Sequence, residues 1–217
     1  MNLILQHFNG ELRPLDKLSI ENMKQYADKI GAEHKLITGK PFSDRLTNAC
    51  QKVHCISEDY DEYDNVLMVD PDIFAVKGLT QNVFDRPGNG THFTTQIRLK
   101  ERLISWGRIT NSTPYWAGSF YKFSREERKK LRDETSVFDN WEIFNEAYKY
   151  EDEGILSVLA MRAKLPINYI ELEWNWDSFL VDPMYAKFIH IRTKISPNGP
   201  KVTKMENYQK LVNRGII

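Results

Sequence analysis

Asn65-Val66-Leu67-Met68-Val69-Asp70-Pro71-Asp72 is the stretch from which the fold of this 217-residue chain can be read. Four successive apolar residues, Val66 to Val69, predict a short strand buried on both faces, as in the middle of a parallel sheet. The chain then turns acidic. Asp70 and Asp72 fall where such a strand leaves its sheet at the carboxyl end, the edge at which open α/β sheets place their ligands. Pro71 fixes its own backbone and biases Asp70 toward an extended conformation, so the turn that displays the two carboxylates is stiff. A stiff pair of hard oxygen ligands suits Mg²⁺ or Mn²⁺ carrying a diphosphate.

The bare pattern says little, because about one Asp-x-Asp is expected by chance in a chain of this length and composition. Asp59-Tyr60-Asp61 serves as a control. It lies in the polar run Ser57 to Asp64 with no strand feeding it, and reads as a solvated helix end or loop. Asp70 and Asp72 differ in context: an apolar strand precedes them and a second apolar run, Ile73 to Val76, follows.

Upstream, Leu3 to Phe8 predicts a first strand, with Gln6, His7 and Asn9 at its exit as candidates to touch a nucleotide or as ordinary strand-end polar residues. Ser19 is a good N-cap for a helix carrying Ile20, Met23, Ala27 and Ile30 at helical spacing, and Gly31 is placed to end it. His34 to Thr38 predicts a second strand, and Asp44 caps a second helix through Ala49, Val53 and Ile56. Strand, helix, strand, helix, strand with short connections is a nucleotide-binding half in general form. No glycine-rich dinucleotide fingerprint or Walker lysine loop follows any strand. A diphosphate here therefore needs a metal.

Thirty basic and thirty acidic residues cancel, which removes any global electrostatic case for nucleic acid or an anionic membrane as partner. Cys50 and Cys55 are too few and too close for a disulfide framework, and with His54 fall short of a structural zinc site. The first residues lack the basic start and long apolar core of a signal peptide, and no apolar run is long enough to span a bilayer. The domain is expected in the cytosol, where the sequons at Asn89 and Asn111 mark turns rather than glycans.

Downstream, the turn cluster Asp85 to Gly90 divides a nucleotide half, about residues 1–85, from an acceptor half, about residues 86–217. His92 to Ile97 alternates like a strand, and Lys100 to Arg108 reads as an amphipathic helix or lid. Pro114 to Tyr121 is expected to be an aromatic strand whose Gly118 permits close approach of a ligand or another backbone. Ser124 to Glu127 is a capping-box start for a charged helix, and Trp141, Phe144 and Ala147 suggest another. Asp152 and Glu153 open a further helix. Their carboxylates either stabilise its dipole or stand at a reaction centre, taking a hydroxyl proton or facing positive charge on a sugar. Ile167 to Leu172 and Lys187 to Arg192 predict strands, the latter carrying His190. Lys204 to Arg214 predicts a closing helix whose abrupt stop is compatible with one domain of a longer chain.

In that context Asp70-Pro71-Asp72 resembles the metal-binding Asp-x-Asp segment of nucleotide-sugar glycosyltransferases of the GT-A fold. Tyr26 to Ala32 is similar to the first-helix ending of that fold, Trp116-Ala117-Gly118-Ser119-Phe120 to its small-residue strand, Glu151 to Leu156 to its acidic helix opening, and His190 to its late metal-binding histidine. The order and spacing hold across most of the chain and are most similar to glycosyltransferase domains encoded by chlorella viruses. The resemblance implies a single GT-A-like, Rossmann-like α/β domain with a mostly parallel central sheet flanked by helices. It also implies transfer of a hexose or deoxyhexose from a UDP-sugar to a glycan or glycoprotein hydroxyl, in a host-cell cytoplasm if the chain is viral. Asp70, Asp72 and His190 would then hold the ion, the histidine tilting preference toward Mn²⁺. Trp116, Ala117 and Gly118 would border the donor, and Asp152 or Glu153 would be catalytic. The family usually has Asp-Gln where Asp152-Glu153 stand, and its His-x-x-Gly-x-x-Lys closure is altered, with Thr193 and Ser196 at the glycine and lysine places. Phosphate contact then falls to Arg192, Lys194 and Lys201. A nucleotidyltransferase and a catalytically silent nucleotide- or glycan-binding module are the alternatives.

Overall fold

The structure is a computed structural model that describes residues 1–91, 100–101, 104–105, 107, 110–112, 115–136, 152–179, 183–193 and 202–217. Its centre is a four-stranded sheet in the order β2 (Glu33–Thr38), β1 (Asn2–Phe8), β3 (Asn65–Val69), β5 (Phe120–Ser124). β1 runs parallel to both β2 and β3, with Ile4 beside Leu67, and β5 closes the other edge antiparallel, with Val69 beside Phe120. The strand alternation fills two cores. Leu3, Leu5, Val66, Met68, Tyr121 and Phe123 face one, shared with Val53, Ile56 and Leu156. Ile4, Leu67, Val69 and Phe120 face the other, shared with Met23 and Ala27 of helix α1 (Pro14–Ile30). Both faces of β3 are thus covered, as its unbroken apolar run requires.

Helix α1 begins five residues before Ser19. Pro14 presets the first helical φ and brings no N–H that needs a partner, and Asp16 accepts the Arg13 backbone N–H at 2.9 Å and its guanidinium at 2.7 and 2.8 Å, which ties the residue before the helix to its first turn. Ser19, inside the helix and fully buried, instead donates to the Ile73 carbonyl at 2.7 Å. The expected second helix is a 3₁₀ segment, Ala49–Ile56, rather than an α-helix. Asp59 and Asp61 lie beyond it at the surface, Asp61 paired with Arg132 at 2.7 Å, as the control reading required.

After β3 the chain leaves the main sheet. β4 (Ile73–Ala75) pairs antiparallel with β7 (Phe188–His190), and β7 pairs parallel with β6 (Trp176–Asp177), forming a small second sheet. Helix α2 (Arg125–Asp133) carries the expected capping box, Ser124 and Glu127, and α3 (Asp152–Arg162) and α4 (Lys204–Asn213) follow. Two strand expectations fail. Tyr115 to Ala117 is irregular and the strand starts only at Phe120; the Trp116 ring turns inward against Gly90, where a Cβ would stand 1.9 Å from it, and Gly90 bridges to Tyr121 within the strand. Ile167 to Leu172 makes a single bridge, Tyr169 to Gly90, before a 3₁₀ turn at Leu172–Asn175.

The strand expected at His92 to Ile97 and the helix expected around Trp141 lie outside the described residues, as does most of Lys100 to Arg108. Asn89 is buried, its amide bonding Glu127 and the Pro166 carbonyl at 3.0 Å each. That amide is spent on the core and leaves no room for a glycan. Cys50 and Cys55 are buried thiols not joined in a disulfide, and no helix among the described residues is long and apolar enough to cross a membrane.

Candidate metal centre

The register of the second sheet creates the site. Ile73 sits opposite His190, Asp177 is on the far side of the same histidine, and Ile191 N donates to the Asp72 carbonyl at 2.8 Å. An imidazole 118 positions away in sequence is thereby brought to the Asp-Pro-Asp turn. His190 Nε2 lies 3.1 Å from Asp72 Oδ1 and 3.8 Å from Asp70 Oδ2, and one ligand atom from each of the three falls within 4.8 Å of the others. Two carboxylate oxygens and an imidazole nitrogen form the donor set that Mn²⁺ accepts readily.

Asp72 Oδ1 is buried and makes no hydrogen bond of good geometry. The polar atom facing it is His190 Nε2 at 3.1 Å, a member of the same donor set, and a cation between the two would be held by both. Burial works against the charge on Asp72, yet His190 and the Lys204 ammonium, bonded to its Oδ2, outweigh burial and hold the carboxyl well below the usual carboxylate range. Asp72 is therefore ionised and able to ligate at neutral pH. The residues present fit a divalent ion.

The turn is fixed from beneath. Gln6 is fully buried; its amide donates to the Asp70 carbonyl at 3.2 Å and to Ser19 Oγ at 3.1 Å, while its oxygen meets His34 Nε2 at 3.0 Å. With Ser19 bonded to Ile73, both ends of Asp70-Pro71-Asp72-Ile73 are tied to the interior. Gln6 thus supports the turn from within the core. His7 borders the cleft, with its Nε2 2.9 Å from the Gly39 carbonyl, and burial lowers its pKa against the opposing pull of that carbonyl. The cleft, about 480 Å³, is lined by His7, Phe8, Arg13, Asn48, Lys52 and the Asp-Pro-Asp turn, among others.

Lys52 went unrecognised in the sequence and is the hub of the site. Its ammonium donates to Asp70 Oδ1 at 2.6 Å and to the Gly118 carbonyl, and lies 3.0 Å from Asp152 Oδ2. Burial disfavours that charge, but Asp152 and Asp70 more than offset it and raise the lysine above its ordinary value. Asp152, fully enclosed, is pushed above the usual carboxylate range by burial, against the pull of Lys52. Tyr121 also donates to Asp152 Oδ2, at 2.8 Å. Periodicity carried no signal for Lys52, because Cys50 to Val53, Cys55 and Ile56 of the 3₁₀ segment are all buried and polar and apolar positions share one environment.

Gly118 earns its place by close approach. A Cβ there would stand 1.9 Å from Glu153 Oε2 and 3.0 Å from Asp152 Oδ1. The acidic pair and Gly118 therefore meet one Lys52 length from Asp70. Trp116 and Ala117 are fully buried and are not among the residues lining the cleft; the Trp116 ring packs edge-on against Phe123 and donates to Asn89 Oδ1 at 3.2 Å. Arg192 lies behind the histidine, 3.5 Å from His190 Nδ1 and 3.5 Å from Asp177 Oδ2. Lys194 and Lys201 lie outside the described residues.

No family model matches the chain, and no curated protein matches it. Among solved structures it is similar to the crystal structure of a glycosyltransferase involved in the glycosylation of the major capsid of PBCV-1, with a TM-score of 0.59 and 11% sequence identity over 97% of this chain and 98% of that one. At that identity the likeness speaks to the fold.

Proposed function

We propose that this chain is a metal-dependent glycosyltransferase of the GT-A type. It moves a hexose or deoxyhexose from a UDP-sugar to a hydroxyl of a glycan or glycoprotein. The observation that carries the reading is the donor set of Asp70, Asp72 and His190 at the carboxyl end of the central strand, with a buried carboxylate oxygen of Asp72 aimed into it. The fold shared with a viral glycosyltransferase over nearly the whole chain supports it. Residues 1–85 would supply the nucleotide side and residues 86–217 the acceptor side.

Asp70, Asp72 and His190 would hold Mn²⁺, or Mg²⁺ less well. The ion supplies Lewis-acid stabilisation of the charge on the departing diphosphate. Lys52 orients Asp70 and Asp152 at once and keeps the like charges of the two apart. Asp152 presents Oδ2 to Lys52 and Tyr121 and Oδ1 toward Gly118. Asp152 and Glu153 are buried and are not among the residues lining the cleft, so for either to take the acceptor hydroxyl's proton or face positive charge on the sugar, the enclosure around Gly118 would have to open to the substrate. Glu153 shares that position through its contact with Gly118. Arg192, with Lys194 and Lys201, would meet the diphosphate.

UDP release from a panel of UDP-sugars, with Mn²⁺ or with chelator, tests the reading in the parent chain and in Asp72→Ala and His190→Ala. Metal-dependent release lost in both variants supports it. Release that is indifferent to chelator and to both substitutions refutes it.

A further inference from the structure

Lys204 is the first residue of α4. The helix start is held independently of its side chain: Thr203 Oγ accepts from Glu206 N at 3.2 Å, and Glu206 accepts from Thr203 N at 2.7 Å. Asn207 Nδ2 donates to the Arg192 carbonyl at 2.7 Å, which fixes the helix to the segment after β7. From this fixed base the Lys204 ammonium reaches Asp72 Oδ2, on a carboxylate whose side chain is only 8% exposed. Asp72, the most deeply buried carboxylate of the donor set, is therefore neutralised by a cation of the chain's own.

An ammonium on Asp72 Oδ2 and a divalent ion on the same carboxylate draw on the same negative charge and repel each other at a separation of a few ångströms. Lys204 has somewhere else to go. Its side chain is one-third exposed and lines a cavity of about 510 Å³ beside the site, with Arg13, Leu15, Thr193, Thr203 and Met205. A flexible four-carbon stem can swing into that space without disturbing the capped helix.

We propose that Lys204 is an intramolecular competitor for the divalent ion. Its ammonium holds Asp72 when no ion is bound, is displaced when one binds, and so sets the metal affinity of the site. This rests on the reading of Asp70, Asp72 and His190 as metal ligands.

The test is a Mn²⁺ titration of the full chain without nucleotide, following the electron paramagnetic resonance signal of the free aquo ion. Parent, Lys204→Met, Lys204→Arg and Asp72→Ala are compared. Lys204→Met should bind Mn²⁺ about tenfold more tightly or better, and Lys204→Arg, which keeps the charge, should stay within about threefold of the parent. Binding by Lys204→Met equal to or weaker than the parent overturns the proposal, as does a Lys204→Arg that behaves like Lys204→Met. Asp72→Ala separates the two layers. If it binds Mn²⁺ as the parent does, the metal-ligand reading itself is wrong, whatever Lys204 does. Circular dichroism checks folding, which the Thr203–Glu206 cap should preserve; if Lys204→Met does not fold, Lys204→Gln carries the same comparison.

Discussion

Replacing Lys52 by methionine removes the cation that joins Asp70, Asp152 and the Gly118 carbonyl. The side chain is 9% exposed and that of Asp152 is 4% exposed, so the carboxylate left behind cannot be rehydrated in place. Loss of one partner of a buried ion pair costs about 3–5 kcal/mol. Asp70, at 23% exposure, can recruit water and adds little. The orphaned Gly118 carbonyl adds to the cost within that range. With a urea slope of about 2–3 kcal/mol per molar, the unfolding midpoint should fall by about 1–2.5 M. The assay is equilibrium urea unfolding at pH 7 followed by tryptophan fluorescence and circular dichroism. In Lys52→Met/Asp152→Asn the buried charge is gone, Tyr121 keeps an acceptor, and about half of the lost stability or more should return. A single variant destabilised by less than about 1 kcal/mol, or a double variant no better than the single, refutes the assignment of Lys52 as a buried counter-charge.

Gly118→Ala should leave the melting transition nearly in place while displacing the Glu153 carboxylate, because the atom met at 1.9 Å is the end of a side chain; an initial-rate assay of UDP release should show at least about a tenfold loss. Gln6→Leu removes one hydrogen bond each from the Asp70 carbonyl and Ser19, which keep Ile73 as a partner, and one from His34, and should cost about 1–3 kcal/mol in urea unfolding; a neutral result would remove Gln6 as the support of the turn. Burial lowers the pKa of His7, His34 and His54 below the ordinary 6.5. The unfolded chain then binds protons more readily, so this contribution is complete above pH 6.5 and is lost as pH falls through the folded-state values. Urea midpoints should be lower at pH 5.5 than at pH 7.5, and His34→Gln should flatten the difference.

Much of the architecture follows from local pattern. Val66 to Val69 had to be a strand covered on both faces, because four adjacent apolar residues leave no polar face for water. The parallel pairing of β1, β2 and β3 followed from short strand-helix connections, the Ser124–Glu127 helix start from capping chemistry, and the Asp152 helix start from carboxylates facing a helix dipole. Asp70 and Asp72 were legible for the same reason, since a strand's exit is a local property of the chain. Local pattern misled where a distant partner outbid it. Ser19 looks like a cap, yet Pro14 and Asp16 start the helix earlier and free Ser19 to hold Ile73. Tyr115 to Ala117 looks like a strand, yet the Trp116 ring turns inward against Gly90, which has no Cβ to exclude it.

The sequence by itself determined an α/β fold built on a central strand and the two carboxylates that strand delivers. Only the tertiary structure decided the rest of the site. The β4–β7 register brings His190 to Asp72, the 3₁₀ segment places Lys52 between Asp70 and Asp152, and α4 lays Lys204 on Asp72. Each depends on pairing across 18 to 132 positions. No window of local periodicity contains such pairs.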